Sequence, residues 1–452
     1  MIIKLSKYQE PLMKTLGIIA EFNPFHNGHK YLIEQARSKT GADCCVVIMS
    51  GDFVQRGAPA VCNKYLRAEM ALKCGADIVF ELPCLYSLGS AEAFATGAVN
   101  LLSSTGLIDY LCFGSESGDT DSLIKCADII SDETGTDNFK EKLSEHIKSG
   151  ESYPSAFSKV LSDSLGNLQP LLYSPNNLLG LEYIRAINKY RLSCESAGNP
   201  CHSIKPVAIK RMGSDHFDTE ISEYSSATAV RNHLYSNAIT KSDPAILSEG
   251  LSGALPLVSY DIIKDNYSKF LPITEDDFSS VLYMRLNTMS DEELFSIPAI
   301  NPDVIHKLTN FRGKKILISD LIMNLKSKCF TYTGISRALF RILLSPFYTA
   351  AAQTHLNAIR PYRSVTENDT ENNESYKPYL RVLGFKKSCS EFLRNLRYSD
   401  DIDIITKPSD GPLDNPSYKL DIFAAGLYEQ ICSNKFKTGF TEELKTGPVI
   451  FD

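Results

Sequence analysis

The sequence lacks the features that mark several classes of protein. Its 12 cysteines include no C-x-x-C pair, so neither a disulfide framework nor a zinc knuckle is indicated. It contains no long charge-free apolar run and no opening basic-then-apolar signal pattern, so we expect a cytoplasmic protein without a membrane partner. Lys and Arg number 47 against 54 Asp and Glu, a net charge of −7. Any contact with RNA must therefore come from a local basic patch.

The first half of the chain alternates predicted strands and helices. Five short apolar runs end at residues 20, 49, 80, 113 and 209, and stretches of helical periodicity separate them. Apolar strands without alternation are typical of a parallel sheet that is covered on both faces. We therefore predict an α/β fold with a doubly wound, Rossmann-like parallel sheet, followed by a mainly helical region. In such a fold, ligands bind outside the carboxyl ends of the strands.

The length of 452 residues predicts several domains. We expect an N-terminal extension over 1–12, the α/β domain over 13–237, a helical domain over 238–364 and a basic C-terminal region over 365–452. Within the last region, residues 376–397 hold six Lys or Arg and one Glu, interleaved with Tyr and Phe. This composition suits an RNA backbone with bases stacked on rings. A solvated basic face, with its rings in the core, is the alternative.

The loop after the first strand carries the clearest chemistry. His26 and His29 stand in a His-Asn-Gly-His sequence where the first helix is predicted to begin. Free backbone N–H groups at a helix start favour a phosphate, and Gly28 allows it to approach the backbone closely. Both imidazoles can then stabilise the charge that builds on its oxygens. A capped helix start with two surface histidines is one alternative, and a zinc pair, which lacks a third ligand at an obvious spacing, is another.

This histidine motif, together with residues 225–231, resembles the two signatures of the nucleotidyltransferase superfamily. Six segments resemble one member family more closely: residues 17–29, 50–60, 67–72, 75–83, 113–116 and 175–183. By these segments, the sequence resembles the tRNA(Met) cytidine acetate ligase family, and the resemblance extends over about residues 16–397.

The resemblance implies an enzyme that activates acetate with ATP as acetyl adenylate and releases diphosphate. The acetyl group then passes to N4 of the wobble cytidine in elongator tRNA(Met), giving N4-acetylcytidine. ATP is the expected cofactor, and Mg²⁺ is expected to bridge its phosphates. No metal-ligating residue is assigned, and the sequence does not predict an oligomeric state.

Carried over position by position, the resemblance implies three catalytic residues: His26, His29 and Arg231. It implies that the following residues bind the nucleotide, without deciding which of the two asparagines makes the contact: Ile19, Ala20, Glu21, Phe22, Asn23, Pro24, Phe25, His26, Asn27, Gly28, His29, Lys30, Tyr31, Leu32, Gly114, Asn176, Asn177 and Arg211. Ser226 and Thr228 could contact a phosphate directly or simply cap a helix, and Arg211 could belong to a surface pair.

Further basic residues are candidates for contact with tRNA. They are Lys326, Lys328, Arg337, Arg341, Lys386, Lys387 and Arg394. Gln55 and Arg56 follow the second strand and could hold the acetate, the diphosphate or the target base, or could form an ordinary turn.

Two other functions stay open at this point. A nucleotidyltransferase that acts on a phosphorylated cofactor precursor shares the histidine motif, but it does not need the long helical and basic extension. A non-catalytic RNA-binding protein with a relict nucleotide fold does not need both histidines and Arg231.

Overall fold

The computed structural model describes residues 13–199, 201–212, 223–240, 251–358, 376–397 and 402–452. The predicted extension over 1–12 lies outside these residues. The strands are β1 (Thr15–Ala20), β2 (Cys44–Ser50), β3 (Phe53–Val54), β4 (Ala58–Pro59), β5 (Ile78–Leu82), β6 (Tyr110–Ser115), β7 (Lys205–Lys210), β8 (Tyr379–Lys386), β9 (Asp403–Ile405) and β10 (Val449–Phe451).

The helices of the first half are α1 (Asn27–Thr40), α2 (Lys64–Lys73), α3 (Cys84–Ser87), α4 (Ala91–Ser104), α5 (Thr120–Thr134), α6 (Asp137–Lys148), α7 (Tyr153–Val160), α8 (Ser162–Leu165), α9 (Pro175–Ser196) and α10 (Ala227–Thr240). Those of the second half are α11 (Leu257–Asn266), α12 (Ser279–Thr288), α13 (Asp291–Phe295), α14 (Pro302–Thr309), α15 (Ile318–Leu325), α16 (Tyr332–Leu344), α17 (Phe347–Ala358), α18 (Ser390–Arg397) and α19 (Pro416–Phe436). Among the described residues, no helix is both long enough and apolar enough to cross a lipid bilayer.

Five parallel strands form the centre of the sheet in the order β5-β2-β1-β6-β7. All seven residues of β2 are buried, as expected for a strand covered on both faces. Side chains of α1, α2, α10 and α11 pack on one face, and those of α4, α5 and α9 pack on the other. The predicted doubly wound α/β fold is confirmed.

The helical region builds a core of its own. Apolar side chains of α12–α17 and α19 form one cluster, and Phe53 of the short β3–β4 hairpin packs into it. The hairpin thus joins the sheet domain to the helical region, because the ring of Phe53 packs against the rings of Phe278 and Phe340 at centroid distances of 5.6 Å each.

The C-terminal region completes the sheet of the first domain. Strand β8 pairs antiparallel with β5, and β9 and β10 then pair with β8. Arg381 of β8 is 2% exposed and forms ion pairs with Glu81 and Glu443, and both carboxylates also bind Lys64. The predicted domain boundaries stay predictions, but residues 379–386 belong to the central sheet and are not separate from it.

Candidate nucleotide site

A cleft opens where the parallel strands end, and it contains the histidine motif. Its cavity volume is about 1110 Å³, and it lies at the carboxyl ends of β1 and β6, where the strand order reverses. The helices after these two strands, α1 and α5, pack on opposite faces of the sheet, which leaves a crevice between them. The loop that the sequence singled out therefore lies at the ligand-binding edge of the sheet.

His26 and His29 form a stacked pair at the first turn of α1. Nδ1 of His26 accepts the N–H of Gly28 at 3.1 Å, and Nδ1 of His29 accepts the N–H of His26 at 3.3 Å. The two ring centroids are 3.7 Å apart. Because each Nδ1 accepts a hydrogen bond, the proton of each neutral imidazole is assigned to Nε2. The helix start therefore offers two side-chain N–H donors, because its first backbone N–H groups are already bonded to the two rings and to the carbonyl oxygen of Ala254.

Both histidines are held neutral. Burial, followed by the charges of Arg211 and Arg231, lowers the pKa of His26 to about 3. Burial and the neighbouring His26 lower the pKa of His29 well below its ordinary value. At pH 7 the pair thus donates hydrogen bonds without carrying charge. A bound polyanion would raise both pKa values, because it favours the charged form of each ring.

The loop before α1 is held by buried contacts. Phe22 has a φ of +45°, in the left-handed region that a bulky residue rarely adopts. Its ring packs against the rings of Phe25 and His29 at 4.8 Å each. Oδ1 of Asn23 accepts the N–H of Val61 at 2.8 Å. Strained backbone persists where surrounding contacts fix it, and such positions cluster at ligand sites.

Arg231, predicted to be catalytic, supports this loop. It is 9% exposed and does not line the cleft. Its Nη1 donates to the carbonyl oxygen of Asn23 at 2.7 Å, and Nη2 donates to Oγ1 of Thr228 at 3.1 Å. Ser226 caps α10, since its Oγ accepts the N–H of Ala229 at 3.2 Å. The geometry makes Arg231 a positioning residue for the loop, and a phosphate contact by Arg231 stays a prediction.

The structure separates the roles of the two adjacent asparagines. Asn177 is 3% exposed, and its Oδ1 accepts hydrogen bonds from Oγ of Ser115 at 2.7 Å and from the N–H of Glu116 at 3.0 Å. Asn176 lines the cleft, where its Nδ2 donates to Oε1 of Glu116 at 2.5 Å and its Oδ1 accepts from Nη1 of Arg211 at 3.3 Å. Asn176 is therefore the one placed to meet a ligand.

Most of the predicted nucleotide-binding residues line the cleft. Besides Asn176, they are Ile19, Ala20, Glu21, Phe22, Asn23, His26, Gly28, His29, Tyr31, Leu32, Gly114 and Arg211. Five others do not line it: Pro24, Phe25, Asn27, Lys30 and Asn177. Phe25 and Asn177 are buried supports, and Asn27 uses its side-chain amide to hold the carbonyl oxygens of Glu223 and Gly253.

The β3–β4 hairpin brings a residue of the helical region into the cleft. Gln55 and Arg56 at its tip line the cleft, as does Arg337 of α16. Nη1 of Arg337 donates to the carbonyl oxygen of Gln55 at 3.2 Å. Gly57 has a φ of +78°, and a Cβ there would come within 2.3 Å of the backbone nitrogen of Arg337. Arg337, predicted to contact tRNA, thus faces the same cavity as the histidines.

One side of the cleft was not predicted from the sequence. It consists of rings and charged groups on α4, α6, α7 and α9, and we call it the aromatic half: Phe139, Tyr153, Phe157, Glu92, Glu182 and Arg185. The only signal for it was Glu182 within the resemblance segment 175–183. Aromatic residues four apart, such as Tyr153 and Phe157, usually indicate core packing.

Two of the other predicted tRNA contacts lie near the cleft, and one does not face solvent. Lys326 and Lys328 are exposed on a loop that also carries Cys329, whose Sγ contacts the carbonyl oxygen of Gly150 at 3.3 Å. Arg341 is 6% exposed and donates to the carbonyl oxygens of Ala299 and Leu88. The prediction that Arg341 contacts tRNA is therefore corrected, because its guanidinium is used inside the fold.

The remaining predicted tRNA contacts lie at the opposite edge of the sheet. Lys386 pairs with Asp77 at 3.0 Å, just before β5 begins, whereas the cleft lies where the parallel strands end. Lys387 pairs with Asp452, and Arg394 lies 3.6 Å from Glu391. Lys386 is thus separated from the cleft by the length of β5, about 16 Å, and contact of all three residues with tRNA stays a prediction.

A group of possible metal ligands also lies at that edge. Cys44, Asp77 and Cys389 offer ligand atoms within 4.8 Å of one another. Asp77 is already paired with Arg37 and Lys386, and two cations beside a dication are electrostatically unfavourable. We therefore interpret the cluster as a buried ion-pair site and not as a metal centre.

Comparison with known proteins identifies relatives over nearly the whole chain. Residues 13–443 match the family model described as HIGH Nucleotidyl Transferase. A tRNA(Met) cytidine acetate ligase of Acetivibrio thermocellus is 32% identical over 435 residues, covering 93% of this chain and 96% of the relative. A protein of the same name in Clostridium novyi is 33% identical over 441 residues, covering 97% and 99%.

Solved structures show the same fold. TmcAL of Thermotoga maritima bound with alpha-thio ATP matches with a TM-score of 0.77 and 26% identity, covering 97% of this chain and 100% of that chain. The apo form of the same protein matches with a TM-score of 0.78 and 27% identity, with the same coverage.

Proposed function

This chain belongs to the tRNA(Met) cytidine acetate ligase family, and from that premise we propose that it is an ATP-dependent ligase that forms N4-acetylcytidine at the wobble position of elongator tRNA(Met). The reaction has two steps in one cleft. A carboxylate oxygen of acetate bonds to the α-phosphorus of ATP, and diphosphate leaves. The N4 nitrogen then bonds to the acetyl carbon, the bond to AMP breaks, and N4 loses one proton.

The observation that carries this proposal is the neutral histidine pair at the start of α1. The Nε2–H groups of His26 and His29, whose rings are oriented by the backbone N–H groups that their Nδ1 atoms accept, form a fixed pair of donors for phosphate oxygens. Donors that are already oriented stabilise the charge of a pentacoordinate phosphorus without a cost for reorganisation. Arg211, Arg56 and Arg337 line the same cleft and add positive charge.

Activation as the adenylate explains why ATP is needed. Acetate is a poor acyl donor, and the aromatic amine of cytidine is a weak nucleophile. A mixed anhydride with AMP supplies a good leaving group for the second step. An acetyl group from acetyl-coenzyme A is not needed in this scheme.

We propose Mg²⁺ as the counterion of the phosphates. This ion usually keeps several waters and is held by phosphates with one or two carboxylates. Glu21 lines the cleft, and its Oε1 accepts the N–H of Gln55 at 2.9 Å, so a carboxylate is available to hold the ion. Its chemistry there would be to neutralise the phosphate charge as the diphosphate leaves.

The N4 amine of the tRNA must reach the adenylate in the cleft. Lys326 and Lys328 are exposed shortly before Thr331, which lines the cleft, so they are placed to bind phosphates of the approaching tRNA. Single-stranded anticodon bases can be splayed out and inserted, whereas paired bases cannot. The place of action is the cytoplasm, where the acceptor tRNA is found.

Acetate-dependent exchange of labelled diphosphate into ATP tests the first step. We expect exchange with acetate alone, and N4-acetylcytidine in elongator tRNA(Met) once tRNA is added, detected by nucleoside mass spectrometry. Exchange that needs a mononucleotide or a phosphopantetheine instead would assign the chain to cofactor assembly. A lack of exchange with any acid, combined with tRNA binding, would indicate a binding protein and contradict the proposal.

A further inference from the structure

The cleft is large for a site that holds one small molecule. Its volume of about 1110 Å³ exceeds the roughly 300–1,000 Å³ that is usual for one small-molecule ligand. In the proposed reaction, the acceptor amine must come within bonding distance of the adenylate, so the acceptor base has to enter the same cavity. The histidine loop is assigned to the phosphates, which leaves the aromatic half without an assigned ligand.

The aromatic half carries a platform for a flat ring. Tyr153 is 57% exposed and stacks on Phe157 with centroids 5.7 Å apart and planes 25° apart. Phe157 is fixed from behind by the edge of Phe139, also at 5.7 Å. An exposed ring with rigid support is the feature on which proteins stack an unpaired base.

Two carboxylates, those of Glu92 and Glu182, line the same cleft as this platform. Glu182 accepts hydrogen bonds from Nη1 of Arg185 at 2.8 and 3.0 Å. Burial and the charges of Glu92 and Glu182 raise the pKa of the Tyr153 hydroxyl. Burial raises the pKa of Glu182 as well, with Arg185 opposing and Glu92 adding to the shift.

We propose that the aromatic half is the pocket of the acceptor base, with Tyr153 as the stacking surface and Glu92 and Glu182 as acceptors for the exocyclic amine. This inference rests on the proposed function and names the site of its second substrate. Cytosine presents an N4 amino group, which a carboxylate can accept from. Uracil presents a carbonyl oxygen at the same position, and a carboxylate would repel it. The pocket therefore selects an amino-bearing pyrimidine by attraction and by repulsion.

The surrounding surface supports entry from this side. The loop with Lys326 and Lys328 contacts Gly150 through Cys329, and Gly150 lies three residues before Tyr153. Lysines on this loop can bind the phosphates on either side of an inserted base. The inserted base and the phosphates on either side of it would then be bound on the same side of the cleft.

Tyr153→Ala tests the stacking role by separating the two steps of the reaction. We expect acetate-dependent diphosphate exchange, and its KM for ATP, to stay within about twofold of the parent, while kcat/KM for acetyl transfer to tRNA falls about tenfold or more. Tyr153→Phe should restore transfer, because it keeps the ring. Tyr173→Ala removes another exposed tyrosine, 65% exposed and outside the cleft lining, and should leave both steps unchanged.

Glu92→Gln tests base selection without removing the ring. We expect the ratio of Kd values for tRNA with uridine and with cytidine at the wobble position to fall several-fold toward one, with exchange unaffected. Unchanged transfer in Tyr153→Ala, together with an unchanged Kd ratio in Glu92→Gln, would overturn the proposal. A raised KM for ATP in Tyr153→Ala would also overturn it, by assigning the aromatic half to adenine. The proposed function fails separately, if the parent protein shows no acetate-dependent exchange.

Discussion

The imidazole rings of His26 and His29 lie face to face, 3.7 Å apart, and each uses Nδ1 to accept a backbone N–H at the start of the same helix. One nitrogen of each ring therefore builds the fold, and the other carries the N–H group that we propose donates to the ligand. This division makes the structural and the chemical roles of His26 separable by mutation.

His26→Asn and His26→Ala should differ in stability but not in activity. Asparagine is a preferred N-cap and can accept the N–H of Gly28, so the Tm of the His26→Asn variant should stay close to that of the parent protein. Alanine loses the cap, and the free energy of unfolding should fall by about 1 kcal/mol. Both variants lose the Nε2–H donor, and we expect acetate-dependent exchange to fall about 100-fold or more. Parent-like exchange in His26→Asn would show that the ring does not contact the phosphates.

The low pKa of His26 predicts a loss of stability in acid. Between the ordinary value of 6.5 and the folded value of about 3, the unfolded chain binds the proton and the folded protein does not. The free energy of unfolding therefore falls as the pH falls through this window, by up to about 1.4 kcal/mol per pH unit for one proton.

Denaturant unfolding of His26→Asn at several pH values measures this effect. We expect a flatter decline than in the parent between pH 6 and pH 4. His306→Asn, which alters an exposed histidine, serves as the control and should keep the parent's slope. Equal slopes in all three proteins would mean that His26 titrates normally in the folded state.

Asn176→Ala and Asn177→Ala should have opposite effects although the residues are adjacent. Asn177→Ala removes the buried acceptor of the Ser115 and Glu116 donors, so the free energy of unfolding should fall by about 1–3 kcal/mol. Asn176→Ala should leave Tm nearly unchanged and raise the KM for ATP by up to roughly tenfold. Thermal unfolding and exchange kinetics distinguish the two, and a reversed pattern would contradict the assignment of Asn176 to the ligand.

Two basic surfaces can be compared directly for tRNA binding. Neutralising Lys326 and Lys328 should weaken binding at low salt by about tenfold and reduce its salt dependence. Neutralising Lys387 and Arg394 removes the same charge at the far edge of the sheet, and we expect a smaller effect because this edge lies away from the cleft. Filter binding over a range of salt concentrations measures both. A larger loss from the second pair would place the main tRNA surface at that edge.

The loop with His26 and His29 was predictable because its signals are local. A buried strand, a polar loop with His26 and His29, and a helix start follow one another within residues 15–40, and parallel strands bring their ends to one edge. The sequence could not separate Asn176 from Asn177, since both lie in the same segment and only the packing against Ser115 and Glu116 decides which one is buried.

The C-terminal region shows why distant pairing escapes sequence reasoning. Residues 376–397 look like a basic surface, yet Arg381 is enclosed by Glu81 and Glu443, which lie about 300 residues before it and about 60 after it. Arg341 is hidden for a related reason, because its partners are the backbone carbonyls of Ala299 and Leu88. Carbonyl groups carry no signature in a sequence.

The central claim is that the phosphates of ATP bind at the start of α1 under the histidine pair. A crystal structure of the protein with a nonhydrolysable ATP analogue and acetate tests it most directly. The account predicts phosphate oxygens within about 3.2 Å of Nε2 of His26 and of His29, with the acetate carboxylate facing the α-phosphorus. A triphosphate bound elsewhere, with both Nε2 atoms facing water, would contradict it.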